Sequence, residues 1–101
     1  MSEAILGAQE AQSIGIKEAT AAAIAFLRDA STNVEIRNVL LEEVDSSDDD
    51  VHWLITLGFD VPIEGAVFVL APQTRRQYKV FEVRKADGRV KSMKIRSVAT
   101  I

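Results

Sequence analysis

The chain has no cysteine, one histidine, two prolines, one tryptophan, one tyrosine and four phenylalanines. Without cysteine there is no disulfide, no thiolate zinc site and no thiol nucleophile. A single histidine, His52, excludes a histidine-rich metal centre and leaves little for general acid–base work. Five scattered glycines are too few to cradle a phosphate, and no G-x-x-x-x-G-K-S/T, G-x-G-x-x-G or G-x-S-x-G pattern occurs. No long apolar run is present either. The nearly uncharged stretch Ala19–Leu27 is mostly alanine and, like the uncharged Gly65–Thr74, far short of the roughly 20 residues of a membrane span. Glu3 and Glu10 bracket the apolar residues near Met1, unlike a secretory signal with its basic start. These absences lead us to expect a soluble cytoplasmic protein with no membrane segment, no metal and no cofactor.

What is present is ordinary for one globular domain: 101 residues, 48% hydrophobic and 27% charged. Residues 1–13 lack a clear period and read as a mobile lead-in, with the folded unit over 14–101. Gly15 is placed to cap a helix, with Glu18 three positions on to accept the cap N–H. Ile16, Ala19, Ala23, Phe26, Leu27 and Ala30 then recur at helical spacing, and Ser31-Thr32-Asn33 ends the run. The small residues in that stripe would let a sheet approach closely. Val34–Asp45 reads as a strand whose phase slips, which a bulge near Asn38 would repair. Asp45–Asp50 is a turn. Val51, Trp53, Ile55, Leu57 and Phe59 alternate without a break, the clearest strand pattern in the chain. Residues 60–76 carry no readable period. Tyr78–Lys85 and Val90–Val98 are strands around the hairpin turn Ala86-Asp87-Gly88-Arg89. The fold class is therefore α+β, one N-terminal helix on a four-stranded antiparallel sheet.

Ile14-Gly15-Ile16-Lys17-Glu18-Ala19 resembles the helix entry of PepSY-like domains, and Tyr78–Val90 resembles their closing hairpin, a Tyr-x-Val-x-Val strand followed by an acidic-Gly turn. The resemblance covers residues 14–98, with a cystatin-like fold as the alternative. Many members of that family are peptidase-associated inhibitory propeptides or partners. The resemblance implies a non-enzymatic interaction or regulatory module and carries no catalytic residue with it. The chain departs from the family in the 60–76 segment and in its lack of an export signal.

No constellation of side chains makes a stronger case for chemistry. Asp45, Asp48, Asp49 and Asp50 lack the glycine and the following glutamate of a calcium loop, so a solvated turn is the better reading. His52 has no positioned nucleophile, and regular strand alternation would send Glu42 and Glu43 to opposite faces, an expectation that a bulge would overturn.

Charge is more informative than net charge suggests. Residues 1–74 hold three basic and thirteen acidic side chains, a net −10, whereas residues 75–101 hold nine basic and two acidic, a net +7. The basic hairpin could be neutralised by Glu35, Glu42 and Glu43 within the sheet, or could meet an external acid. Only Tyr78 offers a stacking platform there, which makes nucleic acid the second choice behind a protein partner. The residues we single out for partner binding are Val67, Phe68, Val69 and Leu70 in the apolar run and Arg75, Arg76, Lys94 and Arg96 in the basic segment. A second copy of the chain could also dock, through the 60–76 loop or an open sheet edge.

Overall fold

A computed structural model describes residues 13–63 and 73–97. The lead-in before residue 13, the apolar run Val67–Leu70 and the last residues from Val98 on lie outside the described residues. One helix, α1 (Ile16–Ala30), precedes four strands: β1 (Arg37–Ser46), β2 (His52–Pro62), β3 (Thr74–Arg84) and β4 (Val90–Ile95). The strands form one antiparallel sheet in chain order, β1-β2-β3-β4. This is the expected α-β-β-β-β architecture.

The helix begins where the sequence places it. Gly15 is the N-cap in extended conformation, and its backbone N–H donates to the Glu18 carboxylate at 3.1 Å. Ala19, Ala23 and Leu27 are fully buried against Ile55, Leu57, Phe59, Phe81 and Val83. The expected stripe is narrower than its spacing suggests. Ile16 and Phe26 remain exposed, and Ala30 with them. Phe26 instead rests edge-on against Phe81, with centroids 6.3 Å apart and planes at 76°. A flat sheet meets only the innermost row of a helix, and two of the three innermost residues are alanines.

The helix start is anchored to the opposite end of the sheet core. The Ile14 N–H donates to the Lys85 carbonyl at 2.7 Å, and the Trp53 indole N–H donates to the Ile14 carbonyl at 3.0 Å. The Lys85 ammonium lies 4.3 Å from the Trp53 ring centroid and also donates to Ser46 Oγ and Asp50. Trp53 is thus wall, hydrogen-bond donor and cation platform together.

Strand β1 explains its own irregular phase. Its register with β2 slips twice, between Arg37 and Leu40 and between Leu41 and Glu43. The first slip coincides with Asn38 at φ 55, a left-handed conformation that asparagine tolerates. The second inserts one residue at Glu42. Leu41 then faces Leu57 while Val44, three residues on, faces Ile55, so both stay on the helix side.

Strands β2 and β3 run further than the sequence indicated. They pair in unbroken register from His52–Arg84 to Pro62–Thr74, so Thr74, Arg75 and Arg76 belong to a strand rather than to an unreadable loop. Between β3 and β4, Gly88 adopts φ 77 and Asp87 accepts from the Arg84 guanidinium and the Arg89 N–H.

If close approach of helix to sheet depends on the buried alanines, Ala23→Leu is expected to cost about 1–3 kcal/mol by overpacking. Urea denaturation followed by circular dichroism reads this as a lower midpoint with an unchanged slope. An unaltered midpoint would show that the helix stands off from the sheet.

Candidate functional site

The helix covers one face of the sheet, so residues of opposite parity face away from it: Leu54, Thr56, Gly58 and Asp60 on β2 and Arg76, Tyr78, Val80 and Glu82 on β3. Glycine at the centre of this open face has a packing cause. A Cβ on Gly58 would overlap the Glu42 carboxylate and sit 3.0 Å from the Arg76 guanidinium. The bare backbone lets Arg76 on β3 reach over β2 to β1.

A four-residue network fills that space. Arg76 Nη2 donates to Glu42 Oε2 at 2.9 Å, and Nη1 donates to Asp60 Oδ1 at 3.1 Å and to the Asn38 carbonyl at 2.8 Å. Asn38 Nδ2 donates to the other Asp60 oxygen at 2.8 Å. The hydrogen bonds from Asn38 and then Arg76 hold the Asp60 carboxyl below its ordinary range. The bond to Glu42, ahead of that to Asp60, raises the Arg76 guanidinium further. At the next row Arg96 donates to Glu43 and to Thr56 Oγ1, the latter at 2.9 Å, and its guanidinium is likewise raised, first by Glu43.

The acidic first hairpin does lie beside the basic one, β2 against β3, and answers part of its charge, though from β1 rather than from the adjoining strand. β1 is at the far edge of the sheet, and the two arginines span β2 to reach Glu42 and Glu43. Glu35, expected to share in this, pairs with Arg37 on its own segment. Lys91 and Lys94 lie 4.0 and 3.9 Å from Glu82. Among the described residues Arg75, Lys79 and Arg89 have no ion-pair partner.

Two of these cations converge with the network at one place. A cavity of about 620 Å³, open to solvent, is lined by Arg75, Arg76, Gln77, Tyr78, Lys79, Ile95, Arg96 and Ser97. Arg75 and Lys79 approach it from the helix side, opposite Val61 and Leu57, whereas Arg76 and Tyr78 belong to the open face. No carboxylate is among the described residues that line it. Ile95, at 82% the most exposed of the described large hydrophobic residues, forms its apolar wall. The structure thus brings together three of the four basic residues singled out from the sequence. Lys94 stands outside the cavity, opposite Val80 and beside Glu82. Sequence reasoning named Tyr78 only as a stacking platform and did not single out Lys79 for binding. The signal was a lysine sharing parity with Phe81 and Val83, which marks the point where helix cover ends.

A second basic cavity of about 470 Å³ lies by Val51, His52, Arg84, Arg89, Val90 and Lys91. Its positive charge is more fully answered, because Arg84 pairs with Asp87 and Lys91 approaches Glu82. The acidic turn is likewise internally engaged: Asp50 accepts from Ser46 and Lys85, and Asp49 accepts from Ser47 Oγ and the Val51 N–H.

Among the described residues no helix is long and apolar enough to cross a membrane. Comparison with family models, with curated proteins and with solved structures returns no match.

The Gly58 contact is open to a double-mutant test. Gly58→Ala is expected to destabilise the domain, and Gly58→Ala in a Glu42→Ala background to be neutral or stabilising, since alanine itself suits a strand better than glycine. Equal penalties in both backgrounds, measured by urea denaturation, would show that Glu42 does not occupy the space. A pH series gives a second test. The native carboxyls of Asp49, Asp50, Asp60 and Asp87 are all depressed, Asp49 first by Ser47, Asp50 first by Lys85, Asp60 first by Asn38 and Asp87 first by Arg84. A depressed folded pKa contributes stability above the unfolded value of about 3.9 and loses it as pH falls through the folded one. Thermal stability should therefore hold steady down to about pH 5 and decline below about pH 4. Asp60→Asn should flatten that decline, and an unchanged acid limb would remove Asp60 from the network.

Proposed function

We propose that this domain is a non-catalytic interaction module that docks an acidic protein partner at the basic end of its sheet. The observation that carries the reading is the convergence of Arg75, Arg76, Lys79 and Arg96 on one open cavity whose described lining residues include no carboxylate. Two of those cations, Arg75 and Lys79, have no ion-pair partner among the described residues, and Tyr78 and Ile95 add apolar contact at the same spot. Charge layout of this kind steers an oppositely charged partner and selects against others. The PepSY-like resemblance supports an interaction role, of which an inhibitor-like association with a peptidase is one form. The cysteine-free composition supports work in the reducing cytoplasm.

Single-stranded nucleic acid is the second reading, because Tyr78 stands among cations and could stack a base. It ranks lower because one aromatic is a short platform and because Arg76 and Arg96 are already engaged by Glu42 and Glu43.

Fluorescence anisotropy with a labelled glutamate-rich peptide and a labelled short oligonucleotide distinguishes the two. The peptide should bind at low salt, weaken as salt rises, and lose about tenfold in affinity with Arg75→Glu plus Lys79→Glu. Lys91→Glu should leave it unchanged. Tighter binding of the oligonucleotide would favour the second reading, and no binding of either ligand at low salt would refute both.

A further inference from the structure

We infer that the second basic cavity binds a small phosphate monoester, its phosphate against Arg84, Arg89 and Lys91 and its body against Val51 and Val90. The site is independent of the docking reading above and lies toward the opposite end of the sheet.

Strand pairing brings the polar groups together. His52 on β2 stands opposite Arg84 on β3, on the face turned away from the helix. The Arg84 N–H donates to the Arg89 carbonyl at 2.8 Å, so the two arginines are neighbours across the β3–β4 hairpin. A register slip supplies the lysine. Ser92 faces Glu82 and Val90 faces Val83, which leaves Lys91 as the extra residue of a bulge. Its ammonium comes to the open face, 4.0 Å from Glu82. Bulges re-aim side chains in this way and are frequent beside binding sites.

Like charges on opposed strand positions are unfavourable, and the hairpin offsets only part of this one. Asp87 accepts from Arg84 Nε at 2.9 Å and from Nη2, which leaves Nη1 for another acceptor. Asp87 also accepts from the Arg89 N–H at 3.0 Å and so fixes the turn, while the Arg89 side chain has no ion-pair partner among the described residues. The contact of Lys91 with Glu82 is too long for a hydrogen bond. Asp87 and Glu82 therefore hold cations in place without entering the described lining of the cavity.

A phosphate group answers this arrangement better than a carboxylate does. It carries up to two negative charges and three strong acceptor oxygens, enough for an arginine fork, a second guanidinium and an ammonium approaching from different strands. His52 adds a ring N–H donor. The site works through side chains, so it needs no glycine-rich loop. The cavity, about 470 Å³, is of the size of small-molecule sites, and the half-exposed Val51 with Val90 gives it an apolar wall beyond the charges. A bare phosphate leaves that wall unused, whereas an esterified one covers it.

The cavity also stands apart from the ends of the described chain. Ile14 packs against the core on the helix face, where its N–H donates to the Lys85 carbonyl. Pro62 and Thr74 close the other end of the β2–β3 register, roughly 33 Å from His52 and Arg84. Arg96 lies beside Tyr78, roughly 20 Å along β3 from Arg84.

The test is a titration of the full chain, followed by amide chemical shifts, with inorganic phosphate, phenyl phosphate and benzoate. Saturable shifts are expected at His52, Arg84, Arg89 and Lys91. Phenyl phosphate should bind at least about threefold tighter than inorganic phosphate, and benzoate at least about tenfold weaker than phenyl phosphate. Arg89→Ala plus Lys91→Ala, both exposed positions, should lose at least about tenfold in affinity for phenyl phosphate with an unchanged thermal midpoint. Arg75→Ala plus Lys79→Ala, at the other basic cavity, should leave that affinity unchanged. Absence of saturable shifts with either phosphate would overturn the inference, as would benzoate binding as tightly as phenyl phosphate or a loss with the Arg75 and Lys79 pair instead. Equal affinity for the two phosphates would overturn the monoester and its valine wall. Binding that emerges only in a Glu3→Gln, Glu10→Gln variant would mean that the chain's own acids fill the cavity, and would overturn it too.

Discussion

One helix can cover one face of a four-stranded sheet, and it cannot cover all of that. α1 is 15 residues long, about 22 Å, while β2 and β3 are 11 residues each, about 36 Å. Near the helix the sheet is apolar and dry, with Ile55, Leu57, Phe81 and Val83 fully buried. Toward the other end of β3 the same face turns to Arg75, Gln77 and Lys79. Among the described residues no helix or strand covers the opposite face, and there the sheet must remain compatible with water while keeping its register. Cross-strand ion pairs meet both needs: they are polar, and each fixes which residues stand opposite.

The open face is organised around an absence of side chain. Gly58 leaves the space that Glu42 and Arg76 occupy, and this lets a residue of β3 bind one of β1 across the strand between them. Arg96 makes a parallel reach over Thr56 to Glu43. The bulge at Glu42 contributes to this arrangement, because it turns Glu42 to the open face while Leu41 and Val44 stay on the helix side, Val44 packed against the core and Leu41 exposed. These pairs are part exposed, and their value lies more in specificity of register than in raw stability.

The two sides of the sheet are treated differently. The β1 side is bent twice and its acids are occupied. The β3 side, beyond the last pairing with β4, is regular, basic and incompletely neutralised. The basic cavity lies at that end of β3, which is why the docking proposal is placed there rather than at the acidic turn or at His52.

Sequence reasoning was most secure where periodicity met strong local chemistry. Gly15 with Glu18 marked the helix start, Val51–Phe59 marked the central strand, and Gly88 with Asp87 marked the hairpin. The helix stripe was legible but too wide, because spacing shows which residues share a side and not how broad a contact a flat sheet makes. The phase slip of β1 was visible, yet periodicity placed only one of its two bulges. Thr74–Arg76 was opaque because strand pairing there comes from the register with Asp60–Pro62, not from any alternation of their own. Of the site, the basic residues of the last hairpin were legible as a charge block; their neutralisation by Glu42 and Glu43 was half-legible, since the partners were named but not the route over β2.

The amino-acid sequence by itself determined the element order, the helix cap, the apolar side of each strand and the division of charge between the two parts of the chain, because these depend on neighbours at short and regular spacing. Only the tertiary structure decided which cations are answered and which converge. That outcome depends on β1 lying two strands from β3 and on a missing Cβ at Gly58. Each of these is a relation between residues far apart in the chain, which no local pattern encodes.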